Sequence, residues 1–174
     1  ATIAAALGLA LLLLLRQPRP KAADLPSLAL AALGGVVGFP LLTALALQHV
    51  TAAHSIVFVG LLPLCTAIFA VIRGGERPQP LFWVFAAVGA AFVTGYAAWG
   101  GVESSLLGNL FMLAAIVLCG LGYAEGARLS RTLGGWQVIS WSLVLSLPIM
   151  LPMALLTMPG SFDHVSAPAW IGLG

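Results

Sequence analysis

Charge is scarce in this 174-residue chain. Lys, Arg, Asp and Glu together make up 7% of the residues, while hydrophobic residues make up 61% and the mean hydropathy is +1.09. An ordinary soluble domain is about 25% charged. The composition therefore excludes a water-soluble globular domain and predicts a membrane protein.

Cysteine and catalytic motifs are scarce as well. The two cysteines, Cys65 and Cys119, lie inside apolar runs, where a thiol behaves as a small hydrophobic group, so we expect no disulfide. The chain contains no HExxH zinc motif, no GxSxG nucleophile elbow and no GxxxxGK[ST] phosphate loop. We therefore expect no enzyme, no cofactor and no metal site.

Long apolar segments occupy most of the chain. Each crossing of a bilayer needs about 20 apolar residues. The predicted spans are residues 1–15, 26–47, 52–72, 80–99, 106–127 and 136–158, with a seventh beginning near Pro168. The first segment is too short for a full span, so we expect both ends of the sequence to be cut within a longer protein.

Basic residues follow alternate spans. They are Arg16, Arg19, Lys21, Arg73, Arg77, Arg128 and Arg131, and we place all of them in short loops. Two spans separate each cluster from the next, so the seven lie on one side of the membrane. Basic loops face the cytoplasm. We predict a multi-pass inner-membrane protein with this side cytoplasmic. The basic residues that give the chain its net charge of +2 therefore indicate orientation in the membrane rather than nucleic-acid binding.

Small residues and prolines predict how the helices pack. Gly34 with Gly38, and Gly122 with Gly126, have the four-residue spacing that allows close contact between helix backbones in lipid. Prolines inside the spans are expected to kink them, as they do around transporter cavities. These prolines are Pro40, Pro63, Pro148 and Pro152.

Several of these features together resemble a known family. Residues 44–96 contain a small-residue turn after an Ala-Leu helix end, the Leu-Pro-Leu of residues 62–64, the Gly-Glu-Arg of residues 75–77, and a following span with Gly89 and Gly95. They resemble the centre of an EamA domain of the drug/metabolite transporter superfamily. The sequence from Gly108 is similar to the start of the family's next domain.

The resemblance implies a fold and a division into domains. Members have ten spans in two five-span repeats of inverted topology, so this all-α helical bundle would run from the second span to the start of the eighth. Residues 1–100 would be the first repeat without its first span, and residues 101–174 the start of the second. The expected partners are the lipid bilayer, the missing helices of the same transporter, a small-molecule substrate and a second copy of the chain.

One Asp, Glu, Lys or Arg residue lies inside a predicted span. Glu125 precedes Arg128 by one helical turn, and charges within lipid are costly enough to suggest function. Two interpretations stay open: an interfacial ion pair with Arg128 or Arg131, and a site for proton coupling or substrate contact. Glu76 and Arg77 form a cytoplasmic loop motif, in which Glu76 is expected to be structural.

Polar and aromatic residues within the spans are candidates for a substrate cavity. They are Thr43, Tyr96, Asn109, Tyr123, Ser140 and Trp141. Two histidines flank an outer turn, and His49 and His54 are expected to be either a solvated pair or a pH-responsive gate. Their spacing does not suit a metal.

The resemblance implies a secondary transporter that exports or exchanges small metabolites, such as amino acids, by alternating access around a cavity. The alternative is a non-transporting membrane subunit or scaffold with the same fold. Deep polar groups converging on one cavity would favour the transporter.

Overall fold

Helices are the only regular secondary structure in the described residues. A computed structural model describes residues 2–99 and 105–156, and within these ranges it contains no strand. Four helical stretches are long and apolar enough to cross a bilayer: Ala22–Ala46, Ala52–Gly74, Leu106–Leu133 and Gly135–Leu156. Thr2–Leu14 and Pro80–Gly95 are apolar but shorter. The predicted all-α membrane bundle is confirmed, and the expected seventh span lies outside the described residues.

The helix boundaries follow local sequence signals. In chain order the α-helices are α1 (Thr2–Leu14), α2 (Leu25–Ala31), α3 (Phe39–Ala46), α4 (Ala52–Val59), α5 (Leu62–Gly74), α6 (Pro80–Trp99), α7 (Leu106–Leu133) and α8 (Gly135–Leu156). The side chains of Thr51 and Ser105 cap α4 and α7 by accepting backbone amides of the first turn. Gly75 and Gly134, both with positive φ, end α5 and α7.

Two of the spans are interrupted near proline. A π-helix, Ala32–Gly38, joins α2 to α3, and Pro40 follows it closely. Because proline has no amide hydrogen and its ring clashes with the carbonyl four residues earlier, a widened turn at this point relieves the clash. A turn at Gly60 and Leu61 separates α4 from α5, and Pro63 stands in the first turn of α5.

Helix α7 is the centre of the bundle. It packs against α2, the π-helix, α3, α4, α5 and α8, and α8 in turn packs against α1. Helix α6 lies at the edge, in contact with α4 and α5. Helix α7 is therefore surrounded mainly by helices that belong to the first hundred residues.

The predicted glycine contacts are confirmed where α7 crosses the π-helix. A Cβ atom built on Gly34 would lie 2.2 Å from the carbonyl oxygen of Leu118 and 2.9 Å from the Cα of Gly122. On another side of α7, a Cβ atom built on Gly120 would lie 3.0 Å from the Sγ of Cys65 in α5. Helix α7 is thus in close contact with its neighbours on two sides, and at Gly34 the contact is one that only glycine allows.

The prediction that all the basic residues lie in loops is wrong for three of them. Helix α7 continues to Leu133, so Arg128 and Arg131 lie on it, and Arg73 lies in the last turn of α5. A 28-residue helix is about 42 Å long, against about 30 Å for the hydrocarbon core. Hydropathy detects only the part of the helix in lipid, whereas its backbone hydrogen bonds continue beyond it.

The two ends of the bundle differ in charge. At one end, called the charged end, α5 and α7 finish and α2 begins, and this is where the arginines of α5 and α7 lie. At the other end, α3 finishes and both α4 and α7 begin, and it is called the uncharged end because its described residues include no Lys, Arg, Asp or Glu.

Candidate functional site

A cavity of about 400 Å³ lies between the π-helix, α7 and α8. Ligand pockets in proteins are typically about 300–1,000 Å³. Small residues make up much of its wall, and none of the described residues lining it carries a charge. Its glycines and polar residues are Gly35, Gly122, Tyr123, Gly126, Ser130, Gly135 and Ser142.

Hydroxyl groups supply the polar atoms of this cavity. Ser142 is 4% exposed, and its Oγ atom has no hydrogen-bond partner among the described residues. Tyr123 is 52% exposed and lies against Gly35 on the facing π-helix. Because a buried hydroxyl without a partner is costly, the Ser142 side chain would gain a hydrogen bond by turning toward a molecule in the cavity.

A buried carboxylate lies on another face of α7. Glu125 is completely buried, and its two oxygen atoms accept from different arginines. Oε1 accepts from Nε of Arg73 at 2.5 Å, and Oε2 accepts from NH2 of Arg128 at 2.9 Å. The Arg128 guanidinium also donates to Oγ of Ser27 at 2.6 Å.

These four residues form the Glu125 cluster, which ties three helices together at the charged end. Arg73 belongs to α5, Glu125 and Arg128 to α7, and Ser27 to α2. Glu125 lies eight residues before the end of α7, or about 12 Å along the axis. The carboxylate therefore lies near the membrane boundary rather than at its centre, and both of its oxygens are occupied.

Two further contacts close the charged end. Arg131 on α7 donates to Oε1 of Glu76 at 2.5 Å, so Glu76 ties the α5–α6 loop to α7. Gln137 at the start of α8 donates to Gln17 after α1 at 2.8 Å. Arg77, the other member of the predicted loop motif, is exposed.

The five predicted cavity residues whose side chains the structure describes do not meet at one place. Of these five, Tyr123 alone lines the described cavity. Ser140 is buried against Gly8 of α1, and Trp141 packs against Leu28, Leu129 and Val138. Tyr96 falls on α6, but its side chain is outside the described part of the chain.

The two remaining candidates, Thr43 and Asn109, lie toward the uncharged end. The Oδ1 atom of Asn109 is 2.7 Å from Nε2 of His54, which is 8% exposed. Thr43 has a buried hydroxyl without a hydrogen-bond partner among the described residues. The expectation of a solvated histidine pair is therefore wrong for His54, because α7 covers its ring, whereas His49 is exposed.

Three residues with buried polar contacts or an unpartnered hydroxyl cannot be identified from the sequence. Arg73 indicates only the orientation of the spans there, because the sequence does not show that it pairs with a residue 52 positions away. Ser27 and Ser142 have no motif around them, and small hydroxyl residues within spans usually bond to their own helix. The one signal for Ser142 was its position beside Ser140 and Trp141. In the described ranges, no group of three His, Cys, Asp or Glu could hold a metal ion.

Comparison with known proteins agrees with a helical membrane protein. The sequence model of the EamA-like transporter family matches residues 1–96. A protein of Bacillus subtilis (strain 168), named "Uncharacterized transporter YdeK", is 60% identical over 173 residues, which are 99% of this chain and 60% of that relative. No solved structure matches the chain.

A multi-pass helical membrane protein with an uncharged cavity has the general form of a membrane transporter. The chain belongs to the EamA-like transporter family, as the match over more than half of its residues shows. It spans about 60% of the length of the curated relative that it matches.

Proposed function

We propose that the full-length protein is a secondary transporter that exports or exchanges small metabolites, amino acids or related compounds, by alternating access. The observation that carries the proposal is the cavity between the π-helix, α7 and α8, with the unpartnered hydroxyl of Ser142 in its wall. Its lack of charge suits the apolar part of a small molecule, and its hydroxyls can donate or accept. A scaffold subunit has no need of such a cavity.

The remaining parts of the transporter belong to the same proposal. Residues 1–100 form most of a first repeat and residues 101–174 begin an inverted second repeat. Further helices of the full-length protein, and a second copy of it, are the proposed protein partners. The charged end faces the cytoplasm, since basic residues gather on that side of a bacterial inner membrane.

Within this proposal, Glu125 is a structural residue. Each carboxylate oxygen already accepts from an arginine. We place substrate contact at Tyr123 and Ser142 instead.

Flux in vesicles tests the function. The full-length protein is reconstituted, and efflux of a pooled amino-acid and metabolite mixture is measured with and without a pH gradient. We expect selective flux of one compound class, reduced about tenfold by Ser142→Ala. Ser146→Ala is the matched control, since Ser146 lies one turn further along α8 and already donates to the Leu143 carbonyl at 2.7 Å.

Two outcomes would contradict the proposal. No flux of any compound above that of empty vesicles would favour the scaffold. Equal flux in the two serine variants would remove the cavity from the transport path. Glu125→Gln tests the role of Glu125 separately. Because Glu125 is proposed to be structural, this variant should lower the yield of folded protein, while the flux per folded molecule should still respond to the pH gradient.

A further inference from the structure

The first turn of α4 contains a histidine in an unusual position for a membrane protein. His54 is 8% exposed and lies at the uncharged end, with its ring centroid 5.5 Å from that of Phe58. Its backbone amide donates to the capping hydroxyl of Thr51. The ring is thus held within a largely apolar contact between α4 and α7.

Only one of the two ring nitrogens is satisfied. Nε2 lies 2.7 Å from Oδ1 of Asn109, and because a carboxamide oxygen accepts, the neutral ring carries its proton on Nε2. Nδ1 is buried and has no partner among the described residues. The ring is therefore arranged as a neutral donor with a vacant proton-binding nitrogen.

Protonation of Nδ1 would make this arrangement unfavourable. It would bury a positive charge and an N–H group without an acceptor. The helices packed against α4 offer no countercharge: the only ionisable residue of α6 is Tyr96, and residues 106–118 of α7 include none. His49 is exposed, with its ring stacked on Phe111, and Glu103 lies outside the described residues.

We propose that His54 is the proton-binding residue of the transport cycle and that its protonation separates α4 from α7 at the uncharged end. This inference rests on the proposed transport function, in which the uncharged end faces outward. A proton from the acidic outer side binds Nδ1, the bond to Asn109 breaks, and the ring moves towards water. Loss of that proton to the outer water restores the contact, so the protonation of His54 controls whether the uncharged end opens.

Flux of the reconstituted full-length protein tests the inference. We compare wild type, His54→Gln and His49→Gln, with and without a pH gradient that is acidic on the outer side. In His54→Gln the amide nitrogen can still donate to Asn109, but the side chain cannot titrate. We expect the gradient to raise the flux at least fivefold in wild type and in His49→Gln, and not at all in His54→Gln.

The outcomes separate this inference from the proposed function. If wild type carries no substrate, the transport proposal fails; if His54→Gln transports and still responds to the gradient, only the role of His54 fails. Hydrogen exchange of the wild type alone gives a second test that does not depend on a folded variant. Residues 51–58 and 105–112 should exchange at least fivefold faster at pH 5.5 than at pH 8, after correction for intrinsic rates, and unchanged protection would overturn the proposal.

Discussion

At the charged end of the bundle, a buried carboxylate and two arginines join α5 to α7, and a serine adds α2. At the uncharged end, the one side-chain hydrogen bond between α4 and α7 in the described ranges is neutral and runs from His54 to Asn109. Separating the buried ions would leave a charge without its partner, whereas separating the neutral pair exposes two groups that water can satisfy. The difference implies that this conformation is firmly closed at the charged end and more easily opened at the uncharged end.

The largest effect is expected from breaking the Glu125 cluster. Glu125→Leu should lower the free energy of unfolding of the full-length protein by about 3 kcal/mol, because it removes the carboxylate that accepts charge-assisted hydrogen bonds from two arginines on different helices, each bond being worth about 1.5 kcal/mol or more. Unfolding in mixed micelles with increasing denaturing detergent measures it. A loss below about 1 kcal/mol would mean that the charged end is held no more firmly than the uncharged end.

Between the two ends, the crossing of α7 and the π-helix should tolerate no added methyl group. Gly34→Ala places a Cβ atom 2.2 Å from a backbone oxygen, and the helices must move apart to admit it. We expect a loss of about 2 kcal/mol, as for other overpacked positions. The control is Gly89→Ala in α6, where nothing lies within 4 Å of the new atom and stability should not fall. Equal free energies of unfolding for the two variants would contradict the close contact between α7 and the π-helix.

At the uncharged end, Asn109→Leu should cost about 1–2 kcal/mol, because it leaves the Nε2 hydrogen of buried His54 without an acceptor. The double variant His54→Phe, Asn109→Leu replaces both partners with apolar groups and should recover most of that loss. The same unfolding assay measures both. Additive losses in the double variant would show that the two side chains do not interact.

How far the sequence predicts this molecule depends on the range of the interaction. The spans, their alternation of charge and the use of Gly34 and Gly122 in close helix contacts were predictable, since they depend on hydropathy, loop composition and local spacing. The partner of Glu125 on α5 was not, because 52 residues separate Arg73 from it and the sequence does not show which helices are neighbours.

The candidate cavity was less predictable than the fold. A polar residue within a span can face a cavity, another helix or lipid, and only the rotation of each helix decides which. Tyr123 faces the cavity, whereas Ser140, on a neighbouring helix, faces α1. The π-helix adds to the difficulty, since it changes the rotation of α3 relative to α2 and so displaces the positions expected from a regular helix.

The smallest effect is expected for the exposed ion pair of the charged end. This pair tests whether burial or charge is the reason that the charged end is firmly held. Arg131 and Glu76 form an ion pair as short as that of Arg73 and Glu125, but their side chains are 57% and 41% exposed. Water screens such a pair, so Glu76→Gln should cost at most about 0.5 kcal/mol, and about 0.5 M salt should abolish even that difference. The loss from Glu125→Leu should persist in the same salt. If the two losses were similar and fell together with salt, the strength of the charged end would come from surface charge rather than from the buried carboxylate.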